Sequence, residues 1–209
     1  MKIIDPKNWK RSKHYAMFTA MSHPHFSVSA DMDITAFMTW IKEEGFPFYH
    51  TMIYAVTTAA NGIPEFRQRI RGDMVVEHDL VHPSFTFLKE DDLFDFATVD
   101  YSQDLAAFVK EAGLASDPTG LPLLEDDPEK DDMLFFTCLP WINFTQMTHP
   151  IHDDSFPRMA WGKYIKRDGR VIMPFNIQAH HALVDGVHAG KLYTALQEIL
   201  DNPAQHLYP

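Results

Sequence analysis

At 209 residues, 45% of them hydrophobic and with 16 Phe and 4 Trp, the chain can bury a substantial core and reads as one domain spanning residues 1–209. A formal net charge of -11 excludes the basic surface that nucleic acid or an anionic membrane would need, although a few local cations can still meet a phosphorylated ligand. Cys138 has no partner for an internal disulfide, and the sequence carries neither a secretory signal nor an apolar run of spanning length, so a reduced, cytoplasmic protein is expected, binding neither nucleic acid nor membrane.

In chain order, the basic and aromatic stretch from Lys10 to Tyr15, following Asp5-Pro6, predicts a short helix within residues 1–21. Phe26, Val28, Ala30 and Met32 alternate with Ser27, Ser29 and Asp31, the period of a half-buried strand. Asp33 or Thr35 can cap the next helix, which should end near Gly45. A more buried helix is expected over residues 48–62, stopping before Pro64 because the residue ahead of a proline avoids helical angles. Arg71-Gly72-Asp73 is a turn before the strand Met74-Val75-Val76, and Phe85-Thr86-Phe87 and Phe94-Asp95-Phe96-Ala97 predict further strands in a meander.

Ser102 is expected to cap a helix reaching about Ala112, with a proline-containing acidic loop over residues 116–132. An apolar run follows at residues 134–139, then a strand around residues 141–144. A hairpin over residues 159–178 turns at Lys166-Arg167-Asp168-Gly169, since Asp-Gly favours a tight turn. Leu192, Ala195, Leu196, Ile199 and Leu200 keep helical spacing, and Pro203 ends that helix. The sum is an α/β chain, a sheet covered by helices, with no internal repeat or dividing linker.

Between the hairpin and the last helix stands His180-His181-Ala182-Leu183-Val184-Asp185-Gly186. Followed by a helix, this pattern resembles the signature of acyl transfer from coenzyme A, in which a hydroxyl that attacks a thioester must lose its proton, and imidazole titrates near the working pH. His181 is the candidate general base. Asp185, four residues on, can anchor the turn with its carboxylate, and Gly186 relaxes the backbone there. Taken alone, the pattern also fits a polar strand terminus.

Over nearly its whole length the chain resembles the chloramphenicol acetyltransferases. The resemblance is carried by Asn8-Trp9 with Arg11, Asp33-Ile34-Thr35, Phe48-Tyr49, Pro64-Glu65-Phe66-Arg67, Pro83 with Phe85-Thr86, Pro140-Trp141, Lys163-Tyr164 and Gln178 through Gly186, in the family's order and near its spacing. It implies the coenzyme A-dependent acyltransferase fold, a two-layer sandwich of a mixed β-sheet with covering helices. It also implies acetyl transfer from acetyl-CoA to a hydroxyl without an acyl-enzyme, with His181 as general base. Asp185 paired with Arg11 would hold the histidine's surroundings. Thr137, at a position where the family has a serine one strand away, would stabilise the oxyanion. Tyr49, Trp141, Lys163 and Tyr164 would line the coenzyme A tunnel. A homotrimer with active sites between subunits is implied too, His181 of one chain facing Phe26, Phe94 and Phe135 of its neighbour.

The implied acceptor pocket is an apolar box of Met17, Phe18, Phe26, Thr86, Phe94, Phe135 and Ala160. Here the chain departs from its relatives: Phe18 stands where they use Tyr, Phe135 where Asn is frequent, and Ala160 where a Thr normally orders water. Losing such hydrogen-bonding groups shifts acceptor preference by about 1 to 3 kcal/mol per contact, so acyl transfer to a different hydroxyl or amine, or a non-catalytic binding role, stand as alternatives. A dihydrolipoyl acyltransferase core would share the chemistry but should bring lipoyl and subunit-binding segments that these 209 residues do not contain. His23-Pro24-His25 and the run from His149 to Asp154 superficially resemble metal ligands, but proline breaks the geometry and no Cys or third cluster completes a set, so no metal is expected.

Overall fold

The computed structural model describes residues 1–117, 130–150 and 152–208. In chain order its elements are β1 (Lys2–Ile4), α1 (Ser12–Thr19), β2 (His25–Asp33), α2 (Thr35–Glu44), α3 (Phe48–Asn61), β3 (Gln68–Arg71), β4 (Met74–Glu77), β5 (His82–Leu88), β6 (Phe94–Thr98), α4 (Leu105–Ala115), β7 (Met133–Leu139), β8 (Arg158–Gly162), β9 (Ile165–Arg167), β10 (Arg170–His180), α5 (Gly186–Asp201) and α6 (Pro203–Leu207). The main sheet runs β2-β10-β8-β7-β5-β6, with β9 added beside β10, and β1-β4-β3 form a small second sheet. β7 pairs in parallel with both β5 and β8, and the other pairings are antiparallel, which makes the main sheet mixed.

Side chains alternate across the pleat, so the register sorts the sheet into two faces. Phe85, Phe136, Met159, Trp161, Phe175 and Ile177 share one face and are buried in the core with residues of α2, α3, α4 and α5. Tyr49 of α3 packs on Trp161 and Tyr193 of α5 on Phe175. Nine of the 14 residues of α3 are buried, and Thr51 and Thr57 satisfy their hydroxyls by donating to the carbonyls of Pro47 and Ile53 one turn back. The opposite face carries Thr86, Phe96, Phe135, Thr137, Ala160, Asn176 and Gln178. Part of it is covered by the segment before β8: Gln178 pins His149 by both its amide oxygen and nitrogen, at 2.8 and 3.3 Å, and Asn176 Nδ2 donates to the Met147 carbonyl at 3.1 Å.

Several expectations needed correction. The strands do not form a meander: β5 and β6 are a hairpin, but the chain then crosses over through α4 and enters β7 parallel to β5, as a parallel pairing requires. Asp104, not Ser102, caps α4, its carboxylate accepting the Ala107 N–H at 2.9 Å, because the cap must directly precede the first helical residue. No strand forms around Trp141. Pro140 cannot donate to a ladder, and a turn follows in which Ile142 N–H donates to the Leu139 carbonyl. The Asp168-Gly169 turn is present, with φ of 52° and 77°, but the tight hairpin joins only β9 to the start of β10; β8 meets β10 further along, opposite Phe175–Gln178. Pro203 ends α5 yet also opens α6 at a position where its missing N–H has no helical partner. The expected acidic loop lies, for residues 118–129, outside the described residues.

Candidate active site

β10 reaches its last paired residue at His180, opposite His25. His181 steps off the ladder, held by its own N–H to the Pro24 carbonyl at 2.8 Å. The chain then turns, Leu183 and Val184 donating to the His180 carbonyl, and buries Ala182, Leu183 and Val184. Asp185 begins α5 as its cap, accepting the Val187 N–H at 3.2 Å.

Arg11 closes this turn from the other end of the chain. Its Nη1 donates to Asp185 Oδ2 at 2.6 Å and its Nη2 to the His181 carbonyl at 3.5 Å, with only 8% of the residue exposed. Burial raises the Asp185 carboxyl pKa, but the Arg11 hydrogen bond and the charges of His188 and Arg11 outweigh it and hold the group below the ordinary carboxylate range. Phe18 lies seven residues beyond Arg11, two turns along α1 and therefore on the same side. Its ring stacks on His181 with centroids 3.9 Å apart and planes 7° apart. Phe26 of β2 flanks the same imidazole at 4.6 Å and 38°. Among the described residues, His181 Nδ1 is buried without a hydrogen-bond partner.

The two histidines of the doublet thus occupy different environments. His180 turns to the other side, accepting the Ala182 N–H on Nδ1 and meeting His25 edge-on at 5.1 Å. Burial, then the charge of His25, pushes its pKa down to about 4, so it stays neutral and structural.

The remaining residues named from the sequence form a second group. Thr137 Oγ1 lies 3.2 Å from Thr86 Oγ1 across the parallel β5–β7 pair. Phe135 shares its face and packs on Phe156 at 5.0 Å beneath Arg158, and Ala160, opposite Thr137 on β8, is fully buried. Phe94, at the outer strand β6, is 62% exposed beside Phe96. At the carboxyl ends of β7 and β8 stand Trp141, 68% exposed, with Lys163 and Tyr164, also exposed, the last with its ring 6.1 Å from Phe48. Lys163 N–H donates to the Ile142 carbonyl at 2.8 Å, which ties this cluster together. Tyr49 behaves differently: its hydroxyl donates to the Thr86 carbonyl and its ring packs on Phe85 and Trp161, so it faces the core. Cys138, next to Thr137 in sequence but on the other face, is pushed up to about 12 by burial and is no thiolate.

Two expectations fail within one chain. Thr137 is not in the strand next to the histidine: β8 stands between β7 and β10. Phe26 does not approach His181 from a neighbour, since it contacts the imidazole of its own chain. Arg11, Phe18, Phe26, His181 and Asp185 are brought together; Thr86, Phe135, Thr137 and Ala160 are brought together elsewhere; and Met17 is exposed on α1. Among the described residues, no three His, Cys, Asp or Glu side chains group as a metal would need, and no helix is long and apolar enough to cross a membrane.

Two further polar residues, His188 and Glu65, join this site through contacts that their sequence positions do not announce. His188 accepts the Asp185 N–H on Nδ1 at 3.1 Å, completing a reciprocal cap, and its Nε2 is 3.4 Å from Glu65 Oε1. The spacing of a capping box, a polar side chain three residues after the cap, was the available signal. Glu65 stands in the sequence within Pro64-Glu65-Phe66-Arg67 of the resemblance, with no role attached to its side chain.

Comparison with known proteins places this geometry in context. The family model described as chloramphenicol acetyltransferase matches residues 1–197. Chloramphenicol acetyltransferase 2 of Haemophilus influenzae is 32% identical over 205 residues, covering 95% of this chain and 96% of that protein, and the protein of the same name from Escherichia coli is 33% identical at the same coverage. A solved chloramphenicol acetyltransferase superposes with a TM-score of 0.86 at 29% identity, covering 95% of this chain and 99% of its own. A probable dihydrolipoamide acetyltransferase from Listeria monocytogenes, at TM-score 0.70 and 19% identity, covers 91% of this chain and 89% of its own and shares the fold.

Proposed function

The chain belongs to the chloramphenicol acetyltransferase family, and from that premise we propose that it is an acetyl-CoA-dependent O-acetyltransferase, a cytoplasmic homotrimer whose active sites form between subunits. The observation that carries the mechanism is the clasp on His181: Arg11 bonded to Asp185 and to the His181 carbonyl, with Phe18 stacked on the ring. A histidine held at both backbone and ring is preorganised to take a proton from one direction.

With Nδ1 buried, Nε2 takes the proton of the acceptor hydroxyl as its oxygen bonds to the thioester carbonyl carbon. The carbonyl oxygen becomes an oxyanion that Thr137 of the neighbouring subunit stabilises by donating its hydroxyl hydrogen. The tetrahedral carbon then expels the thiolate, which recovers the proton from His181, leaving the acetyl ester and free coenzyme A. Trp141, Lys163 and Tyr164 receive the cofactor on the side from which it reaches Thr137, a few residues away along β7. The separation of Thr137 from His181 within one chain supports the shared site.

Chloramphenicol is the first acceptor to test, because relatives similar over nearly their full length carry its name. A second reading, a different alcohol or amine, is favoured by the apolar Phe18, Phe135 and Ala160. Measuring thiol release from acetyl-CoA with chloramphenicol against a panel of alcohols and amines separates the two. Thiol release with chloramphenicol alone supports the first; no release with any acceptor would remove both.

A further inference from the structure

Behind the Arg11–Asp185 pair lies a second layer of polar groups, and it starts from α3. Pro64 ends that helix and opens a 3-10 turn, Pro64–Arg67, anchored by the buried Phe66. The turn directs Glu65 at the head of α5, where its Oε1 is 3.4 Å from His188 Nε2. His188, itself only 7% exposed, accepts the Asp185 N–H on Nδ1. A ring nitrogen that accepts a hydrogen bond carries no proton, so the neutral ring is assigned its hydrogen on Nε2, facing Glu65. The contacts run without a gap from Glu65 through His188, Asp185 and Arg11 to the His181 carbonyl, at 3.4, 3.1, 2.6 and 3.5 Å.

We propose that His188, its tautomer selected by Glu65, is a positioning residue for acetyl transfer: it clamps the Asp185 backbone so that the carboxylate faces Arg11, and Arg11 in turn fixes the His181 carbonyl. The inference rests on the acetyl-transfer reading for its kinetic part alone. Charge on His188 would be favoured by Glu65 and Asp185 and opposed by Arg11 and Lys191; burial is the largest influence and keeps the ring below the ordinary histidine range. A protonated Nδ1 could no longer accept the Asp185 N–H and would turn to Asp185 Oδ1, 3.2 Å away, disturbing the carboxylate that Arg11 uses.

Three variants test the clamp. His188→Asn places an amide oxygen near the position of Nδ1 and keeps the acceptor, His188→Leu keeps none, and Glu65→Leu frees the tautomer. In His188→Leu, kcat for thiol release should fall about ten- to a hundredfold, the range expected when a reacting group is slightly misplaced, while the KM for acetyl-CoA stays within about twofold. His188→Asn should recover to within about threefold of the unaltered enzyme. Amide hydrogen exchange at Asp185 is read alongside and needs no activity: slow in the unaltered protein and His188→Asn, fast in His188→Leu. If His188→Leu does not fold, Glu65→Leu is expected to lower kcat with KM unchanged, and Glu65→Gln, whose amide oxygen still accepts, to restore it. Unaltered kcat in a folded His188→Leu or Glu65→Leu protein, or equally fast Asp185 exchange in the Asn and Leu variants, overturns the clamp. An unaltered protein that releases no thiol with any acceptor sinks the acetyl-transfer reading instead, and the exchange measurement then decides the clamp.

Discussion

Within one chain, Thr137 and His181 are kept apart by β8 and by the register. Thr137 is opposite Ala160, Ala160 is opposite Asn176, and His181 lies five residues beyond Asn176, roughly 16 Å along the strand direction at the usual rise. A hydroxyl donor that must sit about 3 Å from the oxyanion cannot serve the histidine of its own chain at that distance. Subunits carrying His181→Ala and subunits carrying Thr137→Ala, each impaired alone, should therefore rise to about a quarter of full activity when mixed equally and reassembled, since one neighbouring pair in four supplies both groups. Light scattering that finds a fully active monomer at assay concentration would refute the shared site.

The individual losses should differ in size. Removing the general base in His181→Ala is expected to lower kcat about a hundred- to ten-thousandfold with an unchanged unfolding midpoint. Thr137→Ala should cost less and act on kcat more than on KM, because the oxyanion exists only during the reaction. A folded His181→Ala enzyme with full turnover would remove the proposed base.

Arg11 and Asp185 are expected to fail together. Either substitution to alanine leaves the partner's charge in a partly buried site, costing about 2 kcal/mol of stability, whereas the double variant leaves no stranded charge. Denaturant unfolding of the four proteins should give a coupling of about 1 kcal/mol or more. Strict additivity would mean that the 2.6 Å contact contributes little.

Gly162 is a steric requirement of the proposed cofactor end. A Cβ there would lie 2.5 Å from the Ile142 carbonyl oxygen and 2.9 Å from Phe144 Cδ1, and the former is backbone that a rotamer change cannot move. Gly162→Ala should push the 142–144 segment outwards, break the Lys163–Ile142 hydrogen bond and displace Trp141. Calorimetry should find acetyl-CoA binding weakened by about tenfold or more, the scale of one lost charged or well-oriented contact. Unchanged affinity would disconnect this turn from the cofactor.

His149 and His180 make the fold sensitive to mild acid. Burial is the main cause in both, and their pKa values are pushed down to about 4 from an ordinary 6.5. Between those values the unfolded chain binds protons that the folded chain refuses, so stability is fully present above about pH 6.5 and falls as pH drops towards 4. Urea midpoints measured from pH 7.5 to 4.5 should decline across that window, and His149→Gln should flatten the decline. A midpoint constant over the range would show that these rings take up protons when folded.

The sequence by itself determined the elements whose signals are local. Alternation marked β2, helical spacing marked α5, and Asp168-Gly169 marked its turn, because side-chain period and backbone preference act within a few residues. His181 and Asp185 were legible as a unit for the same reason, being four residues apart, and the resemblance to a family tied Arg11 to them. The tertiary structure decided what depends on groups distant in sequence. Whether strands after a hairpin continue as a meander or cross over is settled by which buried faces meet the helices, so the parallel entry of β7 between β5 and β8 had no local cue. That placement puts β8 between Thr137 and His181, and it assigns Phe26 to the histidine of its own chain. The resemblance puts Tyr49 on the coenzyme A tunnel, but its hydroxyl donates to the Thr86 carbonyl in the core, and only the turn after α3 sets Glu65 against His188. A polar group's role follows from the partner that its burial forces upon it, and that partner is chosen by packing across the whole fold.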